Sequence, residues 1–73
     1  MSHAAAIGDP RRVGGFALAG VEVLPADGAD AAAEALAALA PDVGLLILTS
    51  TAYEAVAEEL AERPGLIWAV LPE

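Results

Sequence analysis

The segment Val43-Gly44-Leu45-Leu46-Ile47-Leu48 is the most hydrophobic stretch of the chain and carries no polar side chain. A strand with one solvated face alternates apolar and polar residues. A continuous apolar run is typical of a central strand covered on both faces, which is the situation of a strand inside a parallel sheet. Parallel neighbours need crossover connections, and helices are the usual ones. The rest of the sequence supplies both parts. Ala4 to Ile7 is a short apolar run stopped by Gly8, Val21 to Leu24 is a second ended by Pro25, and Leu66 to Leu71 is a fourth closed by Pro72.

Helical patterns fill the intervals. Asp9-Pro10 reads as a helix start, because a carboxylate can accept from free first-turn amides and proline suits the first helical position. The helix it opens carries Val13, Phe16, Ala17 and Gly20 as an i, i+3, i+4, i+7 stripe turned inward. Gly14 and Gly15 weaken that helix by roughly 1 kcal/mol each relative to alanine, so their presence points to a close approach of another backbone, here or on a partner. A second helix runs from Asp30, as its cap, to Ala40, burying Ala32, Leu36 and Leu39 before Pro41-Asp42 stops it. Thr49-Ser50-Thr51 caps a third, Ala52 to Glu62, with Ala52, Val56 and Leu60 inside. Pro64-Gly65 then turns the chain into the last strand.

The order βαβαβαβ with short loops specifies an α/β fold: a small open parallel four-stranded sheet with helices on both faces, wound doubly. Right-handed crossovers give the strand order 2-1-3-4. The first helix then lies on one face and the other two on the opposite face. The face of the first helix is left half covered, so something outside these 73 residues is expected to cover it. Trp68 or its neighbour Ile67 points toward that gap, since adjacent strand residues face opposite sides.

Seventy-three residues make one domain, 1–73. A chain of this size buries only roughly 60% of its extended surface and has a thin stability margin. There is no cysteine to staple it, which fits a reducing compartment. The formal charge of −8, with Arg11, Arg12 and Arg63 as the only cationic side chains, argues against binding nucleic acid or an anionic membrane surface. The apolar runs are too short to span a bilayer. Met1-Ser2-His3 lacks the basic and apolar regions of a signal peptide, and a cytoplasmic location follows as the expectation.

Few residues carry chemistry. Gly8 and Asp9 close the first strand, where doubly wound folds place ligands, but no G-x-G-x-x-G or G-x-x-x-x-G-K-[ST] follows. A phospho-receiver would need an aspartate where Thr49 stands and a lysine after its last strand, and the chain has no lysine. Asp9 is therefore read as a helix cap. His3 is read as a solvated residue near a frayed end, and Glu54, Glu58, Glu59 and Glu62 as a solvated helix face whose alternative is docking on a basic partner. Thr49, Ser50 and Thr51 have no base in a recognisable arrangement. No catalytic site, metal site or cofactor site is expected. Phe16 is assigned to the core, while Arg12, Gly14, Gly15 and Trp68 are the candidates for contact with a protein partner, because small residues permit close packing and arginine is enriched at hot spots.

The opening of the chain resembles a known family. Gly8-Asp9 after the first strand, followed by Gly15-Phe16-Ala17-Leu18-Ala19-Gly20-Val21, is similar to the F subunits of the V-type and archaeal-type rotary ATPases. Weaker echoes follow in the acidic, alanine-rich second helix, in Asp42 to Thr49, and in a last strand ending in proline. Two positions depart from the pattern: Val13 stands where threonine is frequent, and Ser50 where an acid is. The resemblance implies a non-catalytic component of the central stalk, bound to a coiled-coil partner of the D type beneath the catalytic head. It implies a part in coupling ATP hydrolysis or synthesis to proton or sodium transport through protein contacts alone. Family members continue past the fourth strand into a C-terminal helix, and no role of that helix is expected of these residues. The residue-level alternative is a free-standing regulatory domain that binds a small ligand at the strand ends near Asp9 and Thr49. Self-association in isolation is compatible with the half-covered sheet.

Overall fold

The computed structural model describes residues 3–72; Met1 and Ser2, which enter the signal-peptide reading, and Glu73 lie outside the described residues. The elements are β1 (His3–Gly8), α1 (Pro10–Val13), a 3-10 helix (Gly14–Ala19), β2 (Glu22–Pro25), α2 (Ala29–Ala37), β3 (Val43–Leu48), α3 (Ser50–Ala61) and β4 (Ile67–Val70). All strand pairs are parallel, and the sheet order is β2-β1-β3-β4, the order that right-handed crossovers dictate.

One face of the sheet holds the main core. Ala5 and Ile7 of β1 and Leu46 and Leu48 of β3 pack there against Leu36 of α2 and Val56 and Leu60 of α3. Burying each of the leucine, isoleucine and valine side chains among these contributes about 1.5–3 kcal/mol. The opposite face holds a smaller one: Ala6 and Val13 are fully buried yet stand outside that cluster. α1 and the 3-10 helix contact β1 and β2 on this side.

Several local expectations are corrected. The first helix is not a continuous α-helix: one α turn gives way at Gly14 to a 3-10 helix. Two glycines in succession remove the propensity that would carry the α-helical hydrogen-bond ladder forward. The inward stripe is lost with it, so Val13 is buried and Phe16 half-buried, while Ala17 and Gly20 are exposed. Gly20 ends the segment in the left-handed region (φ 84°), its N–H donating to the Ala17 carbonyl at 3.2 Å.

Asp30 does not cap α2; it sits in the first turn, and Gly28 (φ 120°) occupies the cap position without a side-chain bond. There its carboxylate still meets the positive end of the helix dipole. The helix stops at Ala37, three residues early, although Leu39 remains buried beyond it. The far end of α2 gains a partner that its own segment does not reveal, since Arg63 Nη2 donates to the Leu36 carbonyl at 3.1 Å. His3 is exposed, as read, but it belongs to β1, in register with Val43 of β3, and its Nδ1 lies 3.0 Å from Asp42 Oδ2. No helix among the described residues is long and apolar enough to cross a membrane.

Candidate functional site

The carboxyl ends of β1 and β3 meet at Gly8 and Thr49. A side chain at Gly8 has no room, because a Cβ built there would lie 2.4 Å from Thr49 Cγ2. The Thr49 N–H donates to the Ile7 carbonyl (3.2 Å), and its hydroxyl accepts from Ala52 N–H (3.2 Å), which caps α3. The strand order changes direction between β1 and β3, which is where open α/β sheets form a crevice. A cleft of about 310 Å³ opens there, lined by Asp9, Arg11, Arg12, Asp27, Thr49 and Ser50 among others.

Four of the polar side chains of this cleft, Asp9, Arg11, Arg12 and Thr49, are engaged by the chain itself. Asp9 Oδ1 accepts from Arg11 N–H (2.9 Å) and Arg11 Nε (3.1 Å), and Oδ2 accepts from Arg11 Nη2 at 2.7 Å. The hydrogen bond from the Arg11 side chain, aided by its backbone N–H, holds the Asp9 carboxyl down at about 2. Arg12 Nη2 reaches from α1 to the carbonyl of Pro72, 2.7 Å away. The structure thus brings Asp9 and Thr49 together as the ligand reading requires, but as two helix caps. No group of three acidic, histidine or cysteine side chains able to hold a metal stands together among the described residues.

The second candidate surface is the uncovered half of the α1 face. Residues in register across parallel strands share a face, and here Leu45 pairs with Ile67, Leu46 with Trp68, Ile47 with Ala69 and Leu48 with Val70. Leu46 and Leu48 belong to the main core, so Trp68 and Val70 lie on the α2/α3 side at its rim. Ile67 and Ala69 lie on the α1 side, which settles the alternative between Trp68 and Ile67 in favour of Ile67. It is 68% exposed and adjoins Leu45, 38% exposed. Trp68, itself 39% exposed, belongs to the opposite face. The signal that separates the two is the strand phase set by Leu46, once β4 is known to pair with β3.

Of the remaining candidates, Gly14 and Gly15 are exposed, and an added Cβ at either would meet nothing within 4 Å. No close backbone approach among the described residues accounts for them. In the motif, Gly8 is required by Thr49, Asp9 caps α1, Gly20 supplies the left-handed turn, and Phe16 and Val21 are half-buried. Leu18 is 95% exposed and Ala19 is exposed, so the fold of the chain explains neither.

The sequence profile of the ATP synthase (F/14-kDa) subunit matches residues 4–71, nearly the whole chain. The chain belongs to that family. Among solved structures, the F subunit of the V-type ATP synthase from Archaeoglobus fulgidus superimposes with a TM-score of 0.80 at 22% identity. The superposition covers 99% of this chain and 100% of that one, and at this identity it speaks for the shared fold. No curated protein matches the sequence.

Proposed function

We propose that this chain is a non-catalytic component of the central stalk of a V/A-type rotary ATPase. In this reading it binds the coiled-coil stalk protein of the D type beneath the catalytic head, peripheral to the membrane on its cytoplasmic side. It supports coupling of ATP hydrolysis or synthesis to proton or sodium transport through protein contacts. The observation that carries the reading is the family match over residues 4–71. The geometry is in keeping with it: Asp9 and Thr49 of the cleft are engaged as helix caps, whereas an apolar sheet face is left for a protein partner. Co-elution with the cognate coiled-coil protein in size-exclusion chromatography is the test. A one-to-one complex supports the stalk role, and separate elution at micromolar concentrations contradicts it.

The cleft of about 310 Å³ beside Asp9 and Thr49 favours a second reading, a small-ligand regulatory domain. A thermal-shift series with nucleotides and acidic metabolites separates the two, since a ligand at 100 times its Kd adds about 2.7 kcal/mol of stability. The stalk reading expects no such shift.

A further inference from the structure

We infer that β4 is the pairing edge of a symmetric dimer of the free chain, in which the β4 strands of two copies run antiparallel and join their sheets into one. The sheet has two edge strands, β2 and β4, and they are built differently. β2 carries Glu22 and Pro25, a charge and a residue without an N–H, which are ordinary means of keeping an edge from pairing. β4 reads Ile67-Trp68-Ala69-Val70, has neither, and is exposed along its whole length. From Pro64 to Pro72 the chain carries no charged side chain.

The backbone sets the register. The Leu71 N–H donates to the Leu48 carbonyl at 2.7 Å, so Leu71 turns its polar groups toward β3. Alternate residues of a strand turn the same way, so Ile67 and Ala69 also face β3, while the N–H and C=O groups of Trp68 and Val70 face the open edge. On either side of these two the edge closes. The Leu66 N–H is taken by the Arg63 carbonyl (3.3 Å), and Pro72 has no N–H while its carbonyl accepts from Arg12 (2.7 Å). One antiparallel register uses every free group: Trp68 opposite Val70 of the second copy, and Val70 opposite its Trp68. Each of these pairs exchanges two hydrogen bonds.

The edge complements itself, which is why a second copy is its occupant. A two-fold axis normal to the sheet passes between Ala69 and Ala69 of the second copy, and the α1 faces of the two sheets continue into each other. On the α2/α3 side, Trp68 meets Val70 of the second copy, an aromatic on a β-branched residue, a favourable cross-strand pair. The charge of −8 on each copy opposes association only at long range, because the seam itself is neutral. Salt at ~0.15 M screens that repulsion within ~8 Å, so sodium chloride should strengthen the dimer. A four-residue seam is smaller than the ~1,200–2,000 Å² of a stable complex, which sets the association in the micromolar range. The dimer belongs to the free chain and does not rest on the stalk role.

Sedimentation of the wild type from about 5 to 500 µM, with circular dichroism to show that each variant is folded, is the first arm of the test. The wild type is expected to pass from monomer to dimer. Ala69→Lys sets two like charges opposite each other on the axis and should weaken the dimer at least about tenfold. The second arm uses the absence of native cysteine. In the stated register Ala69 faces its copy in a non-hydrogen-bonded pair, with a Cα separation of ~4.5 Å that a disulfide can span. Ala69→Cys should therefore oxidise to a covalent dimer at least about tenfold faster than Leu18→Cys, whose position is 95% exposed but away from β4. Ala69→Cys is a small change and decides the question should the lysine disturb folding. A wild type that stays monomeric throughout overturns the dimer. So does a dimer that folded Ala69→Lys leaves intact, or cross-linking of Leu18→Cys as fast as that of Ala69→Cys, since either gives the contact to another surface.

Discussion

Gly8 and Thr49 show how single residues fix the geometry around the switch between β1 and β3. Because a Cβ at Gly8 would overlap the Thr49 methyl, Gly8→Ala is expected to destabilise the protein by about 1–3 kcal/mol in urea unfolding. Combining it with Thr49→Ser should recover part of that loss, since the closest contact atom, at 2.4 Å, is then gone. Strictly additive losses would show that the contact is not the cause. Thr49→Ala alone removes the α3 cap and should cost about 1 kcal/mol. Asp9 gives a pH dependence. Its folded pKa of about 2 lies below the ordinary carboxyl value of 3.8, so its contribution is present above that value and is lost as pH falls toward 2. Asp9→Asn should flatten this part of the stability–pH curve; an unchanged acid limb would show that the Arg11 pairing does not matter.

At the scale of elements, the strands and their order are legible in the sequence because apolar runs and crossover handedness are local or topological rules. The bounds of β3 follow from its apolar run, and the buried residues of α3 from its period. The first helix is not legible from its periodic stripe, because two consecutive glycines outweigh it: propensity prevails where few tertiary contacts oppose it. Nor does Asp30 identify the start of α2, because glycine at a positive φ can occupy a cap position without offering a side chain. Of the site, the cleft at Asp9 and Thr49 and the bare sheet half are legible from topology. The Arg12–Pro72 and Arg63–Leu36 bonds are not, since each joins residues far apart in sequence that only the packed sheet brings together. Gly14 has right-handed helical dihedrals (φ −57°, ψ −34°) and nothing near its missing Cβ. Gly14→Ala should therefore raise stability by about 0.4–1 kcal/mol. A loss of stability would reveal a close approach that the fold does not show.

The whole molecule couples a thin core to a lopsided charge. A 73-residue chain is expected to have a stability of roughly 4–11 kcal/mol. Leu46→Ala, at a fully buried central position, should cost about 2–5 kcal/mol and leave little or none of the native circular dichroism at 37 °C. With a net charge of −8, self-repulsion opposes compactness, so added sodium chloride should raise the melting temperature. A melting temperature that falls with salt would contradict this. The proposed role is membership in a stalk assembly. Affinity capture of the tagged chain from washed cell membranes, read by mass spectrometry, addresses it most directly. Recovery of the coiled-coil stalk protein together with the catalytic A and B subunits is the expected result. A folded, tagged chain that retains none of them would contradict it.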